Sequence, residues 1–357
     1  MPDITLSRRC PGRASLFSFL IVIYILLVMN PNTAKAEGEF FEPRCGSEKV
    51  LRNCWTEQEL QGCSKDKIIY YKKGFSSRPP KIPVPLSALC PTKPAPVNSI
   101  RRIMPDGNKK VVALTFDLCE RSDEITGYDY EIVNYLRGNK IRATFFAGGK
   151  WMQTHPIKTM QLIADPLFEV GNHSWSHPNL RLMGGETLLE QIVSPQVVYR
   201  DVYMNLTSSP CAQQAGTEEI AKITPIPMCF RFPYGTCNDE ALETLNNLNL
   251  PAIQWDVVTA DSQKNRTAEE ITKTVLGKVR PGSIIICHAN GRGYHTAKAL
   301  PMFVPELQKQ GYSFVTVSQL LNLGPVVSTS ECYTLIPGDN KNLDTRFSEG
   351  TVGRKER

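Results

Sequence analysis

Two histidines four residues apart, in His173-Ser174-Trp175-Ser176-His177, follow an apolar run that closes on Val170-Gly171-Asn172. On a helical turn, imidazoles at i and i+4 share a face and can take one metal ion. A pair of hydrogen-bonded surface histidines is the plainer alternative. The chain has only five histidines, and a third, His288, ends a second apolar run, Ile284 to Cys287. Asp117 ends a third, Val111 to Phe116. Arg231 and Tyr234 come just after Met228-Cys229-Phe230, and Asp256 and Asp261 flank the strand near Trp255. Singly, each has an ordinary role: a turn or N-cap aspartate, a satisfied core histidine, an arginine paired with a surface acid. Together they form the set of groups that proton transfer and metal-assisted hydrolysis use.

These residues need elements that bring them to one rim. Val111 to Phe116, Ala143 to Ala147, Phe168 to Gly171, Ile253 to Val258, Ser283 to Cys287 and Phe314 to Val317 read as short strands. They are apolar throughout rather than alternating, as strands covered on both faces are. Helical patterns lie between them at Ile132 to Arg137, Thr159 to Ala164 and Ala268 to Val279, and Ser318 is expected to cap a short helix through Leu321. Strands alternating with helices imply a parallel sheet. The expected fold class is α/β, a distorted or incomplete (β/α) barrel with parallel strands. In such a barrel, functional residues sit at the carboxyl ends of strands, which is where the candidates fall.

The flanks differ in character. Arg8, Arg9 and Arg13 precede a 14-residue apolar run, Leu16 to Met29, and Ala34-Lys35-Ala36 offers small residues for cleavage. The run is short for a spanning helix, so residues 1–36 are expected to be a signal peptide. Residues 37–110 carry four cysteines and the stretch Arg78-Pro79-Pro80-Lys81-Ile82-Pro83-Val84-Pro85, which reads as a small disulfide-rich extension and linker. Residues 324–357 lose periodicity and read as an irregular tail. The net charge of +6 includes +3 from residues 1–36, and the remaining +3 with no basic stripe argues against nucleic acid. Ten of eleven cysteines lie beyond the leader. An even count in an exported chain favours disulfides, and the absence of paired C-x-x-C motifs argues against a sulfur-only zinc module. The expected location is periplasmic or extracellular, with no transmembrane segment in the mature chain.

From Val111 to about Leu323 the sequence resembles the polysaccharide deacetylase family, that is, carbohydrate esterase family 4 with its NodB-like domain. Five motifs occur in order: Thr115-Phe116-Asp117, followed by the strand Ala143-Thr144-Phe145-Phe146; His173 to His177; Arg231-Phe232-Pro233-Tyr234-Gly235; Trp255 to Asp261, without the usual tryptophan after the last aspartate; and Ile284 to His288. The resemblance implies a metal-dependent hydrolase removing acetyl groups, N-acetyl above all, from a glycan such as peptidoglycan or a chitin-like polymer. It implies a divalent ion, Zn2+ first, on His173 and His177, with Asp117 as general base and Arg231 holding it ionised. It implies an oxyanion contact from the backbone N–H of Tyr234, His288 as general acid oriented by Asp261, and Ile286 against the acetyl methyl group.

One position departs from the family. The first motif usually has a second aspartate as metal ligand, and here that place is Leu118, in the run Asp117-Leu118-Cys119-Glu120. Glu120, Asp117 itself or a water are the alternatives for the third place. If Asp117 and Arg231 meet, Cys119 and Cys237 come near each other, and a disulfide between them is expected. The alternative leaves Cys119 a buried thiol and pairs Cys237 elsewhere, with Cys211 or Cys229. An O-acetyl esterase, a glycan-binding relic of the same fold and a structural envelope protein are the competing functions.

Overall fold

The computed structural model describes residues 45–71, 78–83 and 85–346; the leader expected at 1–36 lies outside them. Ten strands are described: β1 Tyr70–Tyr71, β2 Ser99–Ile103, β3 Val111–Leu118, β4 Glu124–Ile125, β5 Ala143–Ala147, β6 Phe168–Asn172, β7 Val257–Val258, β8 Ile284–His288, β9 Ser313–Val315 and β10 Val326–Thr329. Six of them form a parallel sheet in the order β6-β5-β3-β8-β7, with β9 paired to the beginning of β3. From β6 the wall continues through single bridges, Asn172 to Phe230, Phe230 to Ala252 and Ile253 to Ile100 of β2. The barrel is therefore parallel and irregular on one side, as expected.

Strand alternation divides the core in two. Val112, Leu114, Phe116 and Leu118 of β3 face outward, with Phe145 of β5 and Ile285 and Cys287 of β8, into the layer packed by helices. Val111 and Ala113 face inward with Phe146, Ile284, Ile286 and Trp255. Asp117 and His288 share the inner parity and are direct partners across β3 and β8. Parallel register thus sets a carboxylate beside an imidazole at the top of the barrel.

Helices Tyr130–Gly138, Pro156–Ala164, Ala268–Lys278 and Thr296–Lys309 cover the outer face. The helix expected after Phe314 is Val317–Leu321, and its cap is Thr316, not Ser318: Thr316 and Gln319 form a reciprocal capping box. A 23-residue helix, Gly185–Thr207, with Pro195 inside it, runs behind the histidine segment. β10 pairs antiparallel with β2, so residues of the tail and of the linker region close against one another. Cys54–Cys211 ties the helix Glu48–Cys54 to the helix Pro210–Gln213. A cavity of about 360 Å³ beside the start of β6, lined by Cys45, Phe168, Glu169 and Tyr199 among others, contains none of the candidate residues.

Candidate active site

Asp117 is 4 % exposed and Arg231 is fully buried. Arg231 Nη1 donates to Asp117 Oδ1 at 2.8 Å and to Thr115 Oγ1 at 2.8 Å. Its Nε and Nη2 donate to the carbonyls of Ile253 and Gln254, both at 3.3 Å, and the guanidinium lies 3.9 Å over the Phe146 ring. The irregular side of the barrel makes this reach possible, because Phe230 bridges both neighbours and delivers Arg231 to the interior. A buried carboxylate held by a buried guanidinium that makes four hydrogen bonds is fixed in orientation.

His173 and His177 meet as expected, with ring centroids 4.9 Å apart, but not on a helical turn. Their segment is a loop in which Ser174 and His177 both take positive φ, 64° and 59°. Asn172 Oδ1 accepts from Ser174 N–H and Ser174 Oγ accepts from His177 N–H, so side chains replace the helical ladder. The buried Trp175 anchors the loop by donating its N–H to the Gln191 carbonyl. His173 Nδ1 donates to the Arg231 carbonyl at 2.9 Å. That bond selects the tautomer and leaves the Nε2 lone pair pointing to the site. The His177 ring stands edge-on to Tyr234 at 4.4 Å. Tyr234 holds φ 58°, a strained conformation for a side-chain-bearing residue.

His288 Nδ1 lies 2.8 Å from Asp261 Oδ1, and Asp261 Oδ2 accepts from the His288 N–H at 2.7 Å and from Thr296 Oγ1 at 2.6 Å. Burial opposes a charge on His288, but Asp261 outweighs it and raises the pKa well above that of an ordinary imidazole. Ile286 lies two residues before His288, on the same face of β8 and deeper in the barrel. Asp256 is taken up by Ser283 Oγ, Arg280 and the Ile284 N–H, a structural role.

The third-ligand expectation for Glu120 fails. Its carboxylate accepts from the Thr126 N–H at 2.9 Å and from Thr154 Oγ1 at 3.0 Å, and sits 3.8 Å from Lys150 Nζ. This group is wholly buried away from the histidines, and burial raises its pKa to about 7. Glu120→Gln should therefore leave metal affinity unchanged, which metal titration of the purified variant checks. The donor that does converge is Cys119: one ligand atom each from Cys119, His173 and His177 lie within 4.8 Å of one another. Burial resists ionisation of this thiol, but His177, His173 and His288 around it hold its pKa well below that of an ordinary cysteine.

The expected Cys119–Cys237 disulfide is also absent. Cys237 is bonded to Cys332, and Cys119 is a buried free thiol. After Tyr234 and Gly235, both left-handed, the chain turns away from the rim toward the tail, where Asn340 Nδ2 donates to the Gly235 carbonyl. A side chain at Gly235 would strike Trp255 at 2.8 Å. Sequence reasoning overlooked two further cations, Lys150, which is buried, and Arg292, which is partly exposed. Lys150 Nζ donates to the carbonyls of Arg121, Ser122 and Glu124, and Arg292 forks onto Glu124 at 2.9 and 2.6 Å. Both shape the loop above Cys119. A lysine in a helix and an arginine in a loop carry no local signal of such roles.

A barrel with an acid–base pair and clustered imidazole and thiol donors at the carboxyl ends of its strands defines a hydrolase-type site. The family model described as polysaccharide deacetylase matches residues 105–253. A peptidoglycan-N-acetylglucosamine deacetylase of Bacillus cereus is 31% identical over 221 residues, covering 60% of this chain and 69% of that protein. One of Listeria monocytogenes is 28% identical over 276 residues, covering 74% of this chain and 51% of the relative, so the chain spans about half the length of that protein. Among solved structures, a carbohydrate esterase family 4 pseudoenzyme from Bacillus anthracis superposes with TM-score 0.51 at 25% identity, covering 66% of this chain and 72% of its own. A mutant of that protein has restored enzymatic activity. The chain belongs to the polysaccharide deacetylase family.

Proposed function

We propose that this chain is a metal-dependent deacetylase that hydrolyses N-acetyl groups of a cell-wall glycan, peptidoglycan foremost. The observation that carries the reading is the facing of two hydrogen-bonded pairs, Asp117 with Arg231 and His288 with Asp261, across adjacent strands. His173 and His177 would hold the ion, for which Zn2+ is the first choice. When bound, a divalent ion lowers the pKa of water and polarises an acetyl oxygen. Asp117 takes the proton of the attacking water, and Arg231 holds its carboxyl group in orientation. The Tyr234 N–H donates to the oxyanion. His288 gives its proton to the departing amine, with Asp261 fixing the ring so that Nε2 faces the substrate. The acetyl methyl group packs toward Ile286.

The relatives' substrates favour peptidoglycan, and the cysteine pairs favour export to the periplasm or cell surface. Among the described residues, no helix is long and apolar enough to cross a membrane. A second reading, a glycan-binding relic, has Leu118 and the pseudoenzyme neighbour in its favour. Against it, a binding module has no use for a buried base–guanidinium pair beside an oriented acid. Acetate release decides between them, measured on acetylated chito-oligosaccharides, peptidoglycan and acetylxylan. Release from the N-acetylated substrates, abolished by chelation and restored by Zn2+ or Co2+, is the expected result. No release from any substrate with metal present would leave the relic, and release from acetylxylan alone would make the chain an O-acetyl esterase.

A further inference from the structure

We propose that Cys119 binds the metal as a thiolate, completing a site of two histidines and one cysteine in place of the family's aspartate. The inference rests on the metal-dependent reading above and concerns which atoms of this chain hold the ion.

Alternation along β3 is the first argument. Leu118 points into the outer core and is fully buried there, so any side chain at 118 in this register leaves the site. The next residue returns to the inner side, where Asp117 also lies. Distance is the second. Cys119 Sγ is 3.7 Å from His173 Nε2, and donors at about 2.0–2.3 Å from a tetrahedral ion stand roughly 3.3–3.8 Å apart. The His177 donor closes the triangle within 4.8 Å.

Orientation is the third. With His173 Nδ1 committed to the Arg231 carbonyl, Nε2 offers a lone pair toward the sulfur, and a cation between two such donors satisfies both. The Cys119 backbone is itself held, because its carbonyl accepts from Thr126 Oγ1 at 2.8 Å and from Asn290 Nδ2 at 2.7 Å, both from buried residues. The other candidates are engaged elsewhere: Glu120 with Thr126 and Thr154, Asp117 Oδ1 with Arg231. A thiolate in the donor set turns the site toward Zn2+ and Co2+ and away from Mg2+ or Ca2+, which prefer all-oxygen shells.

The test loads the purified full chain with Co2+ and reads the near-ultraviolet sulfur-to-cobalt charge-transfer absorption. The wild type should show it. Cys119→Ser should lose it and bind Co2+ more weakly by more than the 10–100-fold or so that losing an outer partner brings. Cys119→Asp, which restores a carboxylate, should regain affinity without the band, and this also controls for misfolding of the serine variant. Bound metal should slow alkylation of Cys119 by iodoacetamide, and a chelator should restore it. A wild-type complex without the sulfur band, or unchanged affinity in Cys119→Ser, would overturn the ligand assignment even if acetate release proves metal-dependent. A sulfur band with no acetate release would uphold the assignment and sink the deacetylase reading instead. An acetylated Cys119 trapped from metal-free protein would make the thiol a nucleophile and overturn the proposal.

Discussion

Asp117→Asn should lower kcat/KM for acetate release by about two to four orders of magnitude, the usual contribution of a positioned general base. Asparagine is isosteric, and its Oδ1 can still accept from Arg231 Nη1, now at 2.8 Å from Asp117. The pair geometry therefore survives while basicity is lost, and the fall should appear in kcat rather than in KM. Metal content should not change, because Asp117 is outside the three-donor cluster. Steady-state kinetics together with metal analysis of the variant checks both halves. A variant that also loses its metal would make Asp117 a ligand, which its Oδ2, 3.6 Å from His173 Nε2, leaves geometrically conceivable.

Arg231→Met should be the most destabilising single change in the site, by about 3–5 kcal/mol, because it strands a buried carboxylate. Methionine fills much of the volume over Phe146 but satisfies none of the four acceptors, Asp117 Oδ1, Thr115 Oγ1 and the carbonyls of Ile253 and Gln254. Removing the charge as well, in Asp117→Ala with Arg231→Met, should lose clearly less than the two single changes added together, since the unpaired ion has gone. Urea unfolding of the two single variants and the double variant measures this. Equal stability of Arg231→Met and wild type would mean that the Arg231–Asp117 pair contributes nothing to the native fold, and the positioning role of Arg231 would fall.

The parallel sheet and the rim of polar residues were legible because both follow from local pattern: apolar runs ending in Asp117, Asn172 and His288. The pairing of Asp117 with Arg231 was legible only through the family resemblance, since 113 residues separate them and no spacing rule connects them. What escaped has physical reasons. The 173–177 segment reads as a helical turn because i and i+4 spacing fits one, yet side-chain caps on Ser174 and His177 create a different loop that also brings the rings together. Glu120 was chosen on ligand chemistry, but strand parity governs which way a side chain at a strand end points, and the Lys150 and Thr126 shell claims it. The Cys119–Cys237 bond followed from nearness in sequence to residues that meet, and the left-handed turn at Tyr234 and Gly235 takes Cys237 to Cys332 instead. β10 carries no alternation signal, being held mainly by its partner strand β2.

Two of the disulfides, Cys54–Cys211 and Cys237–Cys332, have a consequence for covalent topology. They are consecutive rather than nested: one closes a ring from Cys54 to Cys211 and the other a ring from Cys237 to Cys332. Asp117, Cys119, His173 and His177 belong to the first ring, Asp261, Ile286 and His288 to the second. Residues 212–236 are the only peptide joining these two rings, and they carry Arg231 and Tyr234. A protease that nicks either ring once leaves its pieces tethered by the disulfide. One that cuts the joining segment separates the half with Cys119, His173 and His177 from the half with Asp261 and His288 as soon as the barrel opens, so a single cut in the segment that carries Arg231 parts these two rings.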